Sequence, residues 1–367
     1  MRFTIRDGLT YDDVLLAPKH SKIRTRSKVS LDCNIYRNYF NFPVIPANMK
    51  TVINQEVALA ILEVGGLVIL HRFMSFEEQL ALHKQICETA KLPNTDNGQP
   101  SYHVAISVGV QDEDFKNIEQ VLVDQKKNDN DNCIRLVCVD VAHGDSERCE
   151  AMVKHIREVS GTGQRGPEVS IIAGNVATGE GAMRLWNAGA TAVKVGIGPG
   201  SLCSTRIETG NGVPQLTALI DVANARDSYR HNRENTFAYM HIIADGGIKS
   251  AGDCVKALCF ADMVMAGNLF AGSDESPGET FVHAGISYKK YEGSSTHKSN
   301  HVEGVKAMVN AKGPVRDVIR KLSEGIRSGC SYQGAKLLID LRKEPEFIRI
   351  SNAGLHESHP HSVTVIT

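Results

Sequence analysis

Residues 169–195 read VSIIAGNVATGEGAMRLWNAGATAVKV and contain a complete strand–helix–strand unit. The run Val169–Ala173 is short, rich in Val and Ile, and followed by glycine and asparagine, which is typical of a strand buried on both faces in a parallel sheet. A helical stretch, Gly179–Asn187, separates it from a second apolar run, Ala192–Val195. Parallel strands need such a crossover, so this stretch predicts a β/α protein.

The same alternation continues in both directions along the chain. Helical stretches lie at Phe76–Glu88, Ser146–Val159 and Gly252–Cys259. Eight strand-like runs with such crossovers favour a closed barrel over an open doubly wound sheet. We therefore predict an α/β protein, a (β/α)8 TIM barrel formed by a single domain over residues 1–367. The predicted strands are Phe42–Ala47, Gly66–Leu70, Ala105–Val108, Ile134–Val141, Val169–Ala173, Ala192–Val195, His241–Ala244 and Met263–Ala266.

A long polar excursion follows the last predicted strand. It spans Gly272–Pro314 and is rich in Gly and Ser, with Lys and His. Catalytic residues of a barrel lie on the loops that follow its strands, at one face. A long loop at that position predicts an active-site flap at about residues 273–314.

Composition excludes several classes of function. The formal net charge is -1, which does not indicate a partner such as nucleic acid or an acidic membrane. The 9 cysteines form no CxxC pair, so a zinc site is not expected, and scattered free thiols are typical of a reducing compartment. The amino-terminal stretch MRFTIRDGLTYDD has no apolar core of a signal peptide. These features predict a cytoplasmic enzyme.

The most informative motif is Lys194–Arg206, KVGIGPGSLCSTR, which directly follows an apolar strand. Its three glycines let backbone amides and carbonyls approach a ligand closely, and Ser201 adds a hydroxyl suited to phosphate. Cys203 lies among these dipoles, where a thiolate nucleophile could be stabilised. The alternative interpretation is a tight strand–helix turn with an inert cysteine.

Two further glycine turns follow the last two predicted strands. In Ile242–Gly247, IIADGG, an aspartate at the strand end suits two ribose hydroxyls below a phosphate-binding turn. In Met265–Gly272, MAGNLFAG, another glycine turn follows a strand. Phosphate sites of barrels are often built from the loops after strands seven and eight. The two turns therefore predict a phosphorylated substrate. The alternative for each is a turn that only ends its strand and binds no ligand.

These motifs, in this order, resemble the IMP dehydrogenase/GMP reductase family over nearly the whole chain. The cysteine loop is the most specific of them. The resembling stretches are GLTYDDVLLAP (Gly8–Pro18), PANMKTV (Pro46–Val52), DVAHG (Asp140–Gly144), AGNV (Ala173–Val176), GIGPGSLCSTR (Gly196–Arg206), ADGGI (Ala244–Ile248), IRSGCSYQGA (Ile326–Ala335) and GLHESHPH (Gly354–His361).

The resemblance implies a role for each matching residue. Cys203 would attack C2 of a purine nucleotide, Thr205 would assist proton transfer, and Asp245 would bind the ribose diol. Other substrate-binding residues would be Ser201, Gly246, Gly247, Gly267, Asn268, Tyr291, Gly293, Ser294 and Ser295. The nicotinamide cofactor, NADPH or NADH, would contact Arg72, Asp140, Val141, Ala142, His143 and Gly144.

The resemblance also implies a monovalent cation, expected to be K+, and a homotetramer. Carbonyl groups of Gly198, Gly200 and Cys203 would bind the cation. A carboxyl-terminal segment, Glu357, Ser358 and His359, would complete the site from a neighbouring subunit. Composition and periodicity indicate neither feature.

The flap decides between the two activities of the family. IMP dehydrogenases activate water with an Arg-Tyr pair on a long flap, but no Arg or Tyr lies between Gly293 and Val302. The chain also lacks the regulatory CBS insert that most dehydrogenases carry. Losing a general base commonly costs about 10²–10⁴ in rate, so the sequence favours NADPH-dependent reduction of GMP to IMP.

Two features leave alternatives open. His297 occupies the position where GMP reductases carry a Glu that helps to protonate ammonia, and we expect it to act in that Glu's place. The alternative is that His297 is a mobile residue of a surface loop. GLHESHPH is more similar to the dehydrogenase branch. The alternatives are an IMP dehydrogenase using Lys298 or His301 as base, a reductase for XMP or a modified guanosine monophosphate, and a non-catalytic nucleotide-binding paralogue.

Overall fold

A computed structural model describes residues 4–90, 103–128, 134–163, 166–167, 169–231, 240–293 and 305–363. Its centre is a parallel sheet of eight strands. From the second strand to the eighth, each strand pairs with the next along the chain, and the eighth pairs with the first. An isolated parallel bridge between Phe42 and Gly66 connects the first two strands. In chain order the strands are Val44–Pro46, Val68–Ile69, Val104–Val108, Leu136–Asp140, Ser170–Val176, Ala192–Val195, His241–Asp245 and Met263–Ala266.

This architecture confirms the predicted (β/α)8 barrel. Each of the eight predicted apolar runs contains or overlaps one barrel strand, with boundaries that differ by a few residues. The helices around the barrel are Gln55–Glu63, Phe76–Ala90, Asp112–Asn128, Glu147–Ser160, Gly179–Ala188, Gln215–His231, Ala251–Leu258 and Val315–Tyr332.

Several helices begin at a capping side chain that the sequence supplies. The hydroxyls of Ser146, Thr178 and Ser250 each accept a hydrogen bond from a backbone N–H in the first turn of the helix that follows. Such caps satisfy amide groups that have no partner within the helix. The predicted starts of these three helices lie within one residue of the observed starts.

The core consists of two layers that the strands separate. Alternate strand residues such as Leu136 and Cys138 point into the barrel, whereas Val137 and Val139 pack against the helices. Ile35 and Phe40, from the hairpin Cys33–Ile35 and Asn38–Phe40, belong to the interior cluster. The hairpin therefore packs at the amino-terminal end of the barrel and leaves the carboxyl face for a site.

The excursion after the last barrel strand is more ordered than its polar composition suggested. It contains a three-stranded antiparallel sheet, called the flap sheet below, which is formed by Thr280–His283, Ile286–Glu292 and Lys306–Asn310. Residues 294–304 of the predicted flap lie outside the described residues.

Shorter elements complete the chain. An antiparallel pair, Val14–Leu16 with Phe347–Arg349, joins the two ends of the described chain. The remaining elements are the turns Tyr11–Asp13, Arg26–Lys28 and Leu338–Arg342, the strand pair Thr162–Gly163 and Gly166–Pro167, and the short helices Thr205–Thr209, Asn268–Ala271 and Asn352–Glu357. Among the described residues, no helix combines the length and apolarity needed to cross a bilayer.

Candidate active site

The carboxyl ends of the barrel strands bring most of the predicted site residues to one face. Asp140 and Asp245 are the last residues of the fourth and seventh strands, and Gly267 directly follows the eighth. The cysteine loop follows the sixth strand. Residues that are distant in sequence converge here because parallel strands all end at the same rim of a barrel.

A buried lysine lies at the centre of this face. The Lys194 ammonium is 2.6 Å from Oδ1 of Asp140 and 3.4 Å from Oδ2 of Asp245. Burial opposes the charge of Lys194, but the two carboxylates outweigh it and raise the pKa of the ammonium above its usual value. Burial would raise the pKa of Asp140, yet attraction to Lys194 lowers it. One buried ammonium therefore lies between two carboxylates.

Asn175 holds the second of these carboxylates. Its Nδ2 donates to Oδ2 of Asp245 at 2.8 Å and to the carbonyl of Gly196 at 2.9 Å. This contact ties the end of the seventh strand to the start of the cysteine loop. Asp245 Oδ1 keeps lone pairs that can accept hydrogen bonds from ribose hydroxyls.

The cysteine loop presents its thiol to solvent. Cys203 is exposed, and its Sγ lies 3.2 Å from Oγ1 of Thr205. The Cys203 N–H donates to the carbonyl of Gly200 at 3.0 Å, which closes the turn. A hydroxyl at this distance can deliver or remove a proton at an atom bonded to sulfur.

Arg206 packs beneath this loop. Its guanidinium donates to the carbonyl of Val213 at 2.6 Å. Gly198 has φ 84°, and a Cβ there would lie 2.5 Å from Cγ of Arg206. The loop conformation therefore requires glycine at this position, and the arginine stem supports it from below.

A pocket of about 490 Å³ lies beside the start of the cysteine loop. It is lined by most of the predicted nucleotide-binding residues, although Cys203 itself does not line it. Gly246 and Gly247 have φ of 96° and 77°, values that favour glycine and leave the turn without side chains. Those of the predicted substrate-binding residues that line the pocket are Ser201, Asp245, Gly246, Gly247, Gly267, Asn268 and Tyr291. The pocket has room for a ribose phosphate and the size of a small-molecule site.

Tyr291 reaches this pocket from the excursion. It lies in the strand Ile286–Glu292 and is 3% exposed, and burial raises the pKa of its phenol. A Cβ at Gly267 would lie 2.3 Å from its hydroxyl. The flap sheet therefore contributes to the pocket wall, and close contact at Gly267 needs a residue without a side chain.

The predicted cofactor residues lie around the carboxyl end of the fourth strand, which Asp140 ends. Arg72 Nε donates to the Asp140 carbonyl at 2.9 Å. Ala142 and His143 are exposed, whereas Gly144 is buried and a Cβ there would lie 2.7 Å from the Gly174 carbonyl carbon. The turn therefore packs closely against the fifth strand at Gly144 and leaves Ala142 and His143 exposed.

The predicted cation residues fall into two separate groups. Gly198, Gly200 and Cys203 share one turn, whereas Glu357, Ser358 and His359 are exposed near the carboxyl terminus and do not line the pocket. Within the part of the chain that the structure describes, no cluster of three or more His, Cys, Asp or Glu side chains could hold a metal. Gly293 directly follows the strand Ile286–Glu292, and Ser294, Ser295 and His297 lie outside the described residues.

Sequence reasoning missed several pocket residues. Tyr11, Met49 and Gln215 line the pocket, and Asn175 and Lys194 organise the carboxylates. Two signals could have found part of this set: a lysine inside an apolar strand, and an asparagine in the AGNV motif. Tyr11 and Gln215 carry no such signal, because only the closed barrel brings them to the seventh strand.

Fold and site together define a (β/α)8-barrel protein with an exposed cysteine loop beside a glycine-lined pocket. The sequence profile described as "IMP dehydrogenase / GMP reductase domain" matches residues 8–361. GMP reductase from Pediococcus pentosaceus is 37% identical over 350 residues, covering 94% of this chain and 96% of that protein. Inosine-5'-monophosphate dehydrogenase from Borreliella burgdorferi is 34% identical over 415 residues, covering 99% and 98%.

A solved structure agrees with this result. The crystal structure of a cysteine-to-alanine variant of GMP reductase from Trypanosoma brucei, in complex with guanosine 5'-monophosphate, superposes with a TM-score of 0.82 at 27% identity. It covers 98% of this chain and 99% of that chain. The chain therefore belongs to the IMP dehydrogenase/GMP reductase family, whose members are oxidoreductases that use nicotinamide cofactors.

Proposed function

We propose that the protein is a GMP reductase-like enzyme that converts GMP to IMP and ammonia with NADPH. The observation that carries the direction of the reaction is the composition of the flap: no Arg or Tyr lies between Gly293 and Val302. A dehydrogenase must hydrolyse its covalent adduct, and hydrolysis needs a group that activates water. A reductase needs no such group, because hydride takes the place of water.

The Cys203–Thr205 pair supports covalent chemistry at the mouth of the pocket. The Cys203 thiolate adds to C2 of the purine, and the 2-amino group leaves as ammonia after protonation. The Thr205 hydroxyl, 3.2 Å from the sulfur, passes a proton at this point, and His297 supplies it from the flap. The adduct divides one difficult displacement into two easier ones.

When bound, NADPH would supply a hydride to C2, and the carbon–sulfur bond to Cys203 would then break. The bonding pair returns to sulfur, so the thiolate is regenerated and IMP leaves. Overall, GMP, NADPH and two protons become IMP, NADP+ and ammonium. The turn at Val141–Gly144, with Asp140 and Arg72, would hold the nicotinamide against C2, and exclusion of water there would protect the adduct from hydrolysis.

Binding of the nucleotide follows from the pocket. The Asp245 carboxylate would accept hydrogen bonds from the ribose diol. The turns at Gly246–Gly247 and Gly267–Asn268, with Ser201 and Tyr291, would donate to the 5′-phosphate. We also propose a cytoplasmic homotetramer in which the carbonyls of Gly198, Gly200 and Cys203 bind K+. A neighbouring subunit would complete that site through Glu357, Ser358 and His359.

The test is nicotinamide absorbance in two mixtures, GMP with NADPH and IMP with NAD+, with NADH as a second reductant. We expect oxidation of NADPH with one ammonia released per turnover, and no reaction of IMP. Reduction of NAD+ by IMP would overturn the proposal. If both mixtures are inactive, XMP and modified guanosine monophosphates are tested next, and inactivity with all of them would indicate a nucleotide-binding paralogue.

One observation favours a second candidate, IMP dehydrogenase. The carboxyl-terminal GLHESHPH segment is more similar to the dehydrogenase branch, and a dehydrogenase is among the relatives that match the full chain. In that case Lys298 or His301 would have to activate water. The IMP mixture distinguishes the two candidates directly.

A further inference from the structure

Lys312, near the end of the flap excursion, contacts Asn268 in the turn that follows the eighth barrel strand. It follows the last flap strand, Lys306–Asn310, by two residues. Its ammonium donates to the main-chain carbonyl of Asn268 and to Asn268 Oδ1, the latter at 3.1 Å. Lys312 does not line the pocket, whereas Asn268 does.

This contact determines which end of the Asn268 amide faces the pocket. An ammonium group has three donors and no acceptor, so only the amide oxygen can face it. The Nδ2 group must then point the other way. Among the described residues, none accepts a hydrogen bond from Asn268 Nδ2, so two N–H donors remain for a ligand at the Gly267–Asn268 turn.

The backbone holds the lysine in place. The Lys312 N–H donates to the Gly272 carbonyl at 2.8 Å, and the Asp274 N–H donates to the Gly313 carbonyl at 3.0 Å. A Cβ at Gly272 would lie 2.4 Å from the carbonyl oxygen of Asn310. The end of the flap sheet and the turn after the eighth barrel strand are therefore packed directly against one another.

The charge of Lys312 has no carboxylate partner in the part of the chain that the structure describes. Its side chain is half-buried, and burial lowers its pKa to about 8. A partly desolvated ammonium without a counter-ion is unfavourable unless an anion binds nearby. A phosphate at the neighbouring turn would be that anion.

We propose that Lys312 is a positioning residue that sets the preference for a 5′-monophosphate, by holding the Asn268 amide with its NH2 group toward the phosphate. The identity of the ligand as a purine monophosphate rests on the proposed function, but the mechanism requires only a phosphate at this turn. The flap sheet would then act on substrate affinity through Lys312 as well as through Tyr291.

The test is calorimetric titration of GMP and IMP into the original chain and five variants. Lys312→Met should raise Kd for both nucleotides about 10-fold, the effect of losing one hydrogen bond to a charged group. Lys312→Arg, which keeps a cationic donor, should stay within about 3-fold of the original Kd. Lys321→Met, at an exposed helical lysine, removes the same charge and should change Kd less than about 2-fold.

A double-variant cycle separates positioning from a direct charge effect. Asn268→Ala alone should raise Kd about as much as Lys312→Met, and adding Lys312→Met to it should cause little further loss. If the two losses multiply instead, Lys312 acts independently of Asn268 and the proposal is wrong. An unchanged Kd in Lys312→Met would overturn it equally.

Turnover provides a second readout. If the protein reduces GMP, Lys312→Met should raise KM about 10-fold and leave kcat within about 2-fold, because the contact is the same in the ground state and the transition state. Thermal melting would establish that each variant is folded. A protein that binds GMP and IMP but does not reduce GMP would contradict the proposed function alone. The titrations would still decide the role of Lys312. A protein that binds neither nucleotide would contradict both.

Discussion

The Lys194 ammonium lies 2.6 Å from Oδ1 of Asp140, and the lysine side chain is only 3% exposed. The same ammonium reaches Asp245 at 3.4 Å. The proposed function assigns Asp245 to the ribose and Asp140 to the cofactor side. One buried cation therefore connects the two proposed ligand sites, and its attraction keeps the pKa of Asp140 below the usual value.

Removal of the Lys194 ammonium should strongly lower the free energy of unfolding. Lys194→Met leaves two carboxylates close together without compensation, and breaking a buried ion pair typically costs about 3–5 kcal/mol in the free energy of unfolding. The measurement is urea denaturation at pH 7. The matched control is Lys84→Met, because Lys84 pairs with Glu88 at 3.9 Å on an exposed helix surface and should contribute less than about 1 kcal/mol.

A second variant tests the cause of that loss. Adding Asp140→Asn to Lys194→Met removes one of the uncompensated charges, so it should recover part of the lost stability. If the double variant is no more stable than Lys194→Met, loss of packing rather than of charge compensation explains the effect.

Covalent catalysis predicts a separation of turnover from binding. Cys203→Ser should reduce turnover of GMP by at least about 10³-fold while leaving nucleotide affinity nearly unchanged, because a hydroxyl is a far weaker nucleophile than a thiolate. Cys87→Ser is the matched control: burial raises the pKa of that thiol to about 11, so it is not ionised near neutral pH. Substantial turnover in Cys203→Ser would refute the adduct.

The proton relay predicts a role for His297. His297→Ala should lower turnover of GMP by about 10²–10⁴, the usual contribution of general acid catalysis, with little change in nucleotide affinity. The comparison variant is His301→Ala, which removes a nearby flap histidine and should leave turnover of GMP intact. Undiminished turnover in His297→Ala would mean that another group protonates the leaving ammonia.

Buried histidines predict loss of stability in acid. Burial lowers the pKa of His83 to about 4, and the residue is 5% exposed. Since the unfolded chain takes up this proton near pH 6.5 and the folded chain does so only near pH 4, stability present above pH 6.5 is lost as pH falls toward 4. At pH 5 this residue should cost about 2 kcal/mol relative to neutral pH.

Denaturation curves at pH 7 and pH 5 measure this effect. His83→Gln should reduce the difference in the free energy of unfolding between pH 7 and pH 5, whatever the stability of the variant at pH 7. The exposed His20→Gln should leave the difference unchanged. An equal pH dependence in His83→Gln and the original chain would show that other groups control acid stability.

The barrel was predictable because its signal is local. Each strand is a short apolar run, such as Ala192–Val195 or Met263–Ala266, and both of these were predicted with the observed boundaries. The flap sheet was not predicted, because exposed strands such as Thr280–His283 bury no regular face and show only polar composition. The predicted Cys203 loop lies at the expected rim, although its chemical role stays a prediction.

The sequence by itself determined the order of strands and helices, the glycine turns and the cysteine loop, since each depends on residues close together in the chain. Only the tertiary structure decided that Lys194 is shared by Asp140 and Asp245, and that Lys312 faces Asn268. These partners lie 44 to 54 residues apart. Closure of the barrel brings Asp140, Lys194 and Asp245 together from separate strands, and packing of the flap against the turn after the eighth strand brings Lys312 to Asn268. No local pattern encodes either arrangement.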